Sequence, residues 1–153
     1  MKEFDYDLDY KTIDFSVEEN RKLYRIGRGE QGVLLVRPYT NDICAHWRFK
    51  TPEIAVKSSN KIFAMYLDYR DEEDFIGMDM CRKFLEMGFT RSRRYANHNT
   101  GKKYDDEGKV RPQEPDHLTS KYAKSAQIFK KVRDIVAKNK TYVKMRKEWR
   151  ASE

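Results

Sequence analysis

The residue types best suited to chemistry in this chain are basic and aromatic, and they gather between Arg82 and Tyr104. Arg82, Lys83, Arg91, Arg93, Arg94, Lys102 and Lys103 are countered by a single acid, Glu86, with Phe89, Tyr95 and Tyr104 interleaved among them. Guanidinium and ammonium groups neutralise phosphate, and flat rings stack on bases or carry cations over their faces. The pattern predicts a nucleic-acid-binding or phosphate-binding surface built from Arg82, Arg91, Arg93, Arg94, Tyr95, Lys102 and Lys103. A solvated cationic face has the same composition, so the pattern alone leaves both open.

A second set of residues suits a small phosphate-ester or nucleotide-binding enzyme. Gly27-x-Gly29-x-x-Gly32 lies between two apolar runs, Leu23 to Ile26 and Val33 to Val36, and reads as a β-hairpin with a glycine-rich turn. Arg28 sits in that turn, and His46, Arg48 and His98 supply the other groups of this alternative pocket. The setting is similar to the glycine loop of protein kinases, and Ile54-Ala55-Val56-Lys57 resembles their lysine-bearing strand. Kinase chemistry is excluded all the same. The chain is too short for two lobes, it has no H-R-D loop or D-F-G triplet, and Thr51-Pro52-Glu53 starts a helix. A dinucleotide fold is excluded because its glycine motif opens a helix, whereas a run of strand character follows here. Cys44 and His46 are too few for a zinc site, so no metal or cofactor is expected. Whether the chain is an enzyme stays open.

The elements that would position these groups follow from periodicity. Phe4, Tyr6, Leu8 and Tyr10 alternate with Asp5, Asp7 and Asp9, the period of an edge strand or an extended acidic arm over residues 1–15. Ser16 opens a short helix with Glu18 and Glu19 in its first turn. Ile43, Ala45, Trp47 and Phe49 alternate with Cys44, His46, Arg48 and Lys50, predicting a third strand beside the hairpin with Trp47 and Phe49 in the core. Thr51 and Pro52 begin a helix reaching about Arg70, with Ile54, Ile62, Met65, Tyr66 and Tyr69 on one side. Phe75, Met78, Cys81 and Leu85 form the apolar stripe of the next helix, with Asp79–Lys83 and Arg82–Glu86 as four-apart pairs on its other faces. Gly88 is expected to stop that helix and Thr90 to cap a second one. The result is a loose helix-turn-helix whose free amides at Arg91, Arg93 and Arg94 would hold an anion. Residues 98–115 read as a long irregular loop. Tyr122, Ala126, Phe129, Val132 and Val136, then Tyr142, Met145 and Trp149, mark two further helices. The expected fold class is α+β, with about three antiparallel strands in residues 23–50 packed against four or so helices, in one domain spanning 1–153.

Composition limits the partners. A net charge of +7 and an isoelectric point near 9.3 favour nucleic acid or another polyanion. Residues 1–20 carry a net −5, whereas residues 109–150 carry thirteen Lys and Arg against four acids, a net +9. An acidic partner protein would fit the same basic face. The two cysteines, Cys44 and Cys81, make no disulfide scaffold. No signal peptide or membrane-spanning run is read, which gives a cytoplasmic location and no membrane partner. Oligomeric state is not fixed by these observations.

The runs RIGRGEQGVLLVRPY, HWRF, GMDMCRKFLEMGFTRSRRYANH and GKKYD together carry a resemblance. Over about residues 4 to 148 the chain resembles the domain of unknown function 4385 family, small proteins of bacteria and phages. The resemblance implies one compact domain and brings no activity and no catalytic residues.

Overall fold

The computed structural model describes residues 3–153, and its regular structure is helical. A 3-10 turn at Tyr10–Thr12 precedes α1 (Glu18–Arg21), α2 (Tyr39–Cys44), α3 (Pro52–Asp71), α4 (Phe75–Asn97), α5 (Lys121–Lys138) and α6 (Lys140–Ser152). Among the described residues the one extended pairing is an isolated bridge between Tyr104 and Val110, inside the expected irregular loop. The α+β class with an antiparallel sheet over residues 23–50 is therefore corrected to an all-helical fold.

The centre of the molecule is α4. Asp74 caps it by accepting from the Gly77 amide at 3.3 Å, and is itself held by Arg21 at 2.7 Å and the Tyr39 hydroxyl at 2.5 Å. Every residue from Phe75 to Cys81 is buried, the mark of a helix surrounded by partners rather than resting on one. α5 and α3 are its main neighbours, with α2 and α6 adding smaller contacts. The stripe of Phe75, Met78, Cys81 and Leu85 is in the core as its spacing predicts.

The expected stop at Gly88 does not occur, and α4 runs straight through to Asn97. Gly88 is there for room, because a Cβ on it would lie 2.3 Å from the Phe129 ring of α5. Thr90 is consequently mid-helix and caps nothing. The helix-turn-helix reading fails, and so does the anion site of free amides at Arg91, Arg93 and Arg94, whose N–H groups lie inside a continuous helix.

The predicted hairpin and third strand fail for a different reason. Carbonyls between Tyr24 and Gln31 find donors in side chains arriving from distant helices, and the amides of Gln31, Val33 and Leu35 close local turns, so no ladder forms. Arg82 donates to the Gly29 carbonyl at 3.0 Å, Lys83 to the Gln31 carbonyl at 2.6 Å, Arg150 to the Gly27 carbonyl at 2.9 Å and Trp149 to the Tyr24 carbonyl at 3.1 Å. Thr40 accepts from the Val36 amide and donates to the Val33 carbonyl. Farther on, Ser58 of α3 donates to the His46 carbonyl at 2.7 Å and accepts from the Arg48 amide at 3.0 Å. With these groups paired, the segment forms a chain of turns and needs no neighbouring strand.

The N-terminal arm is likewise no edge strand. Its alternation puts Phe4 and Tyr10 inward while Asp5, Asp7 and Asp9 stay exposed. Phe4 packs into the glycine segment, where a Cβ on Gly32 would meet its ring at 2.0 Å, and Gly32 also holds a φ of +79°. An aromatic chain then crosses the molecule. Phe4, Tyr10, Phe15, Tyr24, Trp149, Phe75 and Tyr142 follow at centroid spacings of 5.2 to 6.4 Å, and Tyr142 meets Tyr66 of α3 at 6.5 Å.

The remaining helices start where their capping residues place them. Thr51 accepts from the Ile54 amide, with Pro52 in the first turn as expected. Ser120 accepts from the Ala123 amide to open α5. Asn139 ends α5 and starts α6, accepting from the Tyr142 amide at 3.3 Å and from the Tyr66 hydroxyl at 2.8 Å.

Candidate functional site

The sequence-predicted phosphate ligands do not assemble on one face. Arg82 is locked in the interior: its Nε lies 2.8 Å from Asp79, and its side chain is 11% exposed. Arg91 lines a shallow depression beside the glycine segment together with Arg28, and Arg28 also pairs with Glu3 at 3.2 Å. Arg93 donates to Asn97 at 2.6 Å along its own helix. Arg94 is exposed on α4, while Lys102 and Lys103 are exposed in the loop, Lys103 over the Tyr104 ring. The enzyme alternative is equally scattered. His46 and Arg48 share a groove, Arg28 lies in the separate depression, and His98 is buried at the end of α4.

One sequence candidate, Tyr95, leads to a large open groove. This groove of about 1040 Å³ lies between the segment after α2, the first turns of α3, and the facing ends of α4 and α5. Trp47, Phe49, Tyr95 and Tyr122 form a continuous half-buried aromatic wall. Ring centroids are 5.1 Å apart for Trp47–Phe49, 5.6 Å for Phe49–Tyr95 and 5.3 Å for Tyr95–Tyr122. Arg48, Lys50, Lys57 and Lys61 line the same groove, with His46 beside them, and no Asp or Glu does. Arg48 is oriented by donating to the Cys44 carbonyl at 3.2 Å and the Trp47 carbonyl at 2.5 Å. Trp47 Nε1 is buried without a hydrogen-bond partner. Lys121 sits over the Tyr122 ring at 5.1 Å.

The sequence marks Lys57 only in a kinase-like run and Tyr122 only as an apolar stripe residue, and does not mark Lys61; Trp47 and Phe49 do pack against the core as expected, but each also lines the groove. A signal was present: the run from Ile43 to Pro52 holds His46, Trp47, Arg48, Phe49 and Lys50 and no acid. Helical spacing then puts Lys57 and Lys61 on one face of α3.

A second concentration of charge lies at the other side of α4. Asp79 is fully buried and accepts from the Tyr24 hydroxyl, from the Tyr142 hydroxyl at 2.6 Å and from Arg82 at 2.8 Å. Burial alone would raise its carboxyl, but the nearby Arg82 and Lys83 charges and these hydrogen bonds hold it down at about 2. Lys83 is fully buried too, against the expectation of a surface pair with Asp79. Its ammonium contacts the Gln31 and Arg25 carbonyls and lies 5.0 Å and 4.8 Å from the Phe4 and Tyr24 rings. Burial pulls its pKa down to about 7, with Asp79 acting against that. Outside this network a cleft of about 680 Å³ opens between α4, α5, α6 and Gly29.

No group of three or more His, Cys, Asp or Glu among the described residues could hold a metal ion, and no described helix is long and apolar enough to cross a membrane. A family model described as Domain of unknown function (DUF4385) matches residues 5–152. Neither a curated protein nor a solved structure matches the chain.

Proposed function

The chain belongs to the family described as Domain of unknown function (DUF4385), and from its own geometry we propose that it binds single-stranded nucleic acid in the aromatic groove. One observation carries this reading: four half-buried rings share a groove with four Lys and Arg and no carboxylate. Single-strand binders combine these features, rings on which unstacked bases lie and cations that follow the phosphates. In a duplex the base faces are already stacked, so the rings of Trp47, Phe49, Tyr95 and Tyr122 favour a single strand. The buried, unpartnered Trp47 Nε1 supports the reading as a donor that a bound base edge would satisfy. Arg94, Lys102 and Lys103 act from outside the groove as a diffuse field. A cytoplasmic setting suits both this partner and two unpaired cysteines.

The enzyme alternative has less support, because its phosphate-holding hairpin does not form and its Arg28 and His46 line different cavities. The test is a fluorescence titration with Trp47 as reporter, using oligo-dT, oligo-rU and a duplex of equal length at low salt. Single strands should bind at least tenfold tighter than duplex, and Tyr122→Ala should weaken them about ten- to a hundredfold, the loss of one stacked base. No single-strand binding at low salt, or equal affinity for Tyr122→Ala and wild type, refutes it.

A further inference from the structure

We propose that the cleft between α4, α5 and α6 is a second, separate anion site, built for a phosphate or phosphomonoester group. No residue lines both this cleft and the aromatic groove. Five cations line it: Arg82, Arg133, Arg146, Lys147 and Arg150. Its two acids are both engaged by Arg133, with Glu86 at 2.7 Å and Asp134 at 2.8 Å. Arg146 and Lys147 enter no ion pair among the described residues. The lining side chains sum to three net positive charges; behind them Arg82 pairs with Asp79 and Arg150 faces Glu153, which leaves Arg146 and Lys147 as the uncompensated cations.

Two of the arginines are held in fixed orientation, and Arg82 keeps a donor to spare. Arg82 uses Nε on Asp79 and one amino group on the Gly29 carbonyl, and Asp79 is fixed from behind by Tyr24 and Tyr142. The second amino group of Arg82 makes no hydrogen bond among the described residues. Arg150 donates through Nη2 to the Gly27 carbonyl, while its buried Nη1 makes no hydrogen bond and faces the Glu153 carboxylate at 3.8 Å. Arg82, anchored on one edge with an amino group left over, offers a donor that suits a phosphate oxygen beside Arg146 and Lys147. The carbonyls of Gly27 and Gly29 point at arginines, so the glycine segment serves this site by aiming guanidinium groups and not by cradling phosphate with amides. A dianionic group matches the two uncompensated cations, Arg146 and Lys147, better than a carboxylate does.

The test titrates inorganic phosphate against wild type at constant ionic strength, with chloride as reference, and reads binding by calorimetry and thermal shift. Arg146→Gln with Lys147→Gln is the diagnostic variant, since both residues lie outside the buried Asp79 network. It should melt like wild type without phosphate and bind phosphate at least tenfold more weakly. Tyr95→Ala, in the groove, should leave phosphate affinity unchanged, so this site and the single-strand reading can fail separately. Oligo-dT with and without a 5′-phosphate identifies the source. A 5′-phosphate advantage that the double variant abolishes supports the site with a strand end as ligand. No advantage beside normal inorganic phosphate binding supports it with a free phosphate or small phosphomonoester. The proposal is overturned if phosphate behaves like chloride, if the double variant binds as wild type does, or if Tyr95→Ala weakens phosphate equally.

Discussion

At the scale of single residues, the buried trio of Asp79, Arg82 and Lys83 governs how this protein responds to substitution and pH. Asp79 is the counter-charge for the buried Arg82, with Lys83 nearby, and removing one partner of a buried ionic network costs about 3–5 kcal/mol. Asp79→Asn should therefore lower stability by about that amount in urea unfolding, whereas Cys81→Ala, on the same helix, should cost far less. Lys83 gives a pH signature. Its folded pKa lies at about 7, below the 10.5 of a free lysine, because burial opposes its charge. Between those values the unfolded chain holds a proton that the native state lacks, so stability rises as pH rises through 7, by up to about 1.4 kcal/mol per unit. Urea midpoints at pH 7.0 and 8.5 should differ in wild type and differ less in Lys83→Met. The window stops at 8.5 because burial raises Tyr24, Tyr142 and Cys81, and these act in the opposite direction at higher pH. Cys81 was legible as core from its three- and four-residue spacing. Asp79 and Lys83 were not, since a charged pair four apart reads as a solvated face. Only the number of helices packed around α4 reveals otherwise.

At the scale of elements, the glycine rule and the structure part company twice, in the turn before α4 and within α4 itself. The turn from α3 closes with the Glu73 amide on the Arg70 carbonyl at 3.0 Å and the Asp74 amide on the Tyr69 carbonyl at 2.8 Å. That is the Schellman arrangement, and it puts Glu73 at the position where glycine is preferred, with a φ of +55°. Glu73→Gly should consequently stabilise the protein by about 1 kcal/mol, read as a raised melting temperature. Gly88 is the converse, a glycine inside a helix. Gly88→Ala gains about 1 kcal/mol of helix propensity but drives a methyl group into Phe129, an overpacking that costs about 1–3 kcal/mol. A net loss is expected, relieved when Phe129→Leu is added; an unchanged melting temperature for the single variant would contradict this packing. Where a capping signal and a periodic run coincide, as at Thr51-Pro52 before α3, the element was readable. In residues 23–50 it was not, because the donors that satisfy that backbone come from Lys83, Arg82, Trp149 and Arg150, far away in the chain.

At the scale of the whole molecule, charge and aromatic content are sorted by place. The aromatic chain from Phe4 to Tyr66 is interior and ties the acidic arm to α6 and α3. The second set of rings, around Phe49 and Tyr95, faces a cationic groove. The basic balance of the chain was legible from composition, but its location was not, since Tyr95 and Lys57 come together only when α3 packs beside the end of α4. The location has a measurable consequence for ionic strength. If Arg48, Lys50, Lys57 and Lys61 each neutralise one phosphate of a single strand, four counterions are released, and log affinity falls with log salt at a slope of about −0.7 per phosphate. Raising salt from about 50 to about 200 mM should then weaken oligo-dT binding roughly fiftyfold. Lys61→Gln should make the slope shallower by about 0.7, while Tyr95→Ala should lower affinity at every salt concentration and leave the slope unchanged. A slope that Lys61→Gln does not alter would mean that phosphate contacts lie outside the groove, on Arg94, Lys102 and Lys103.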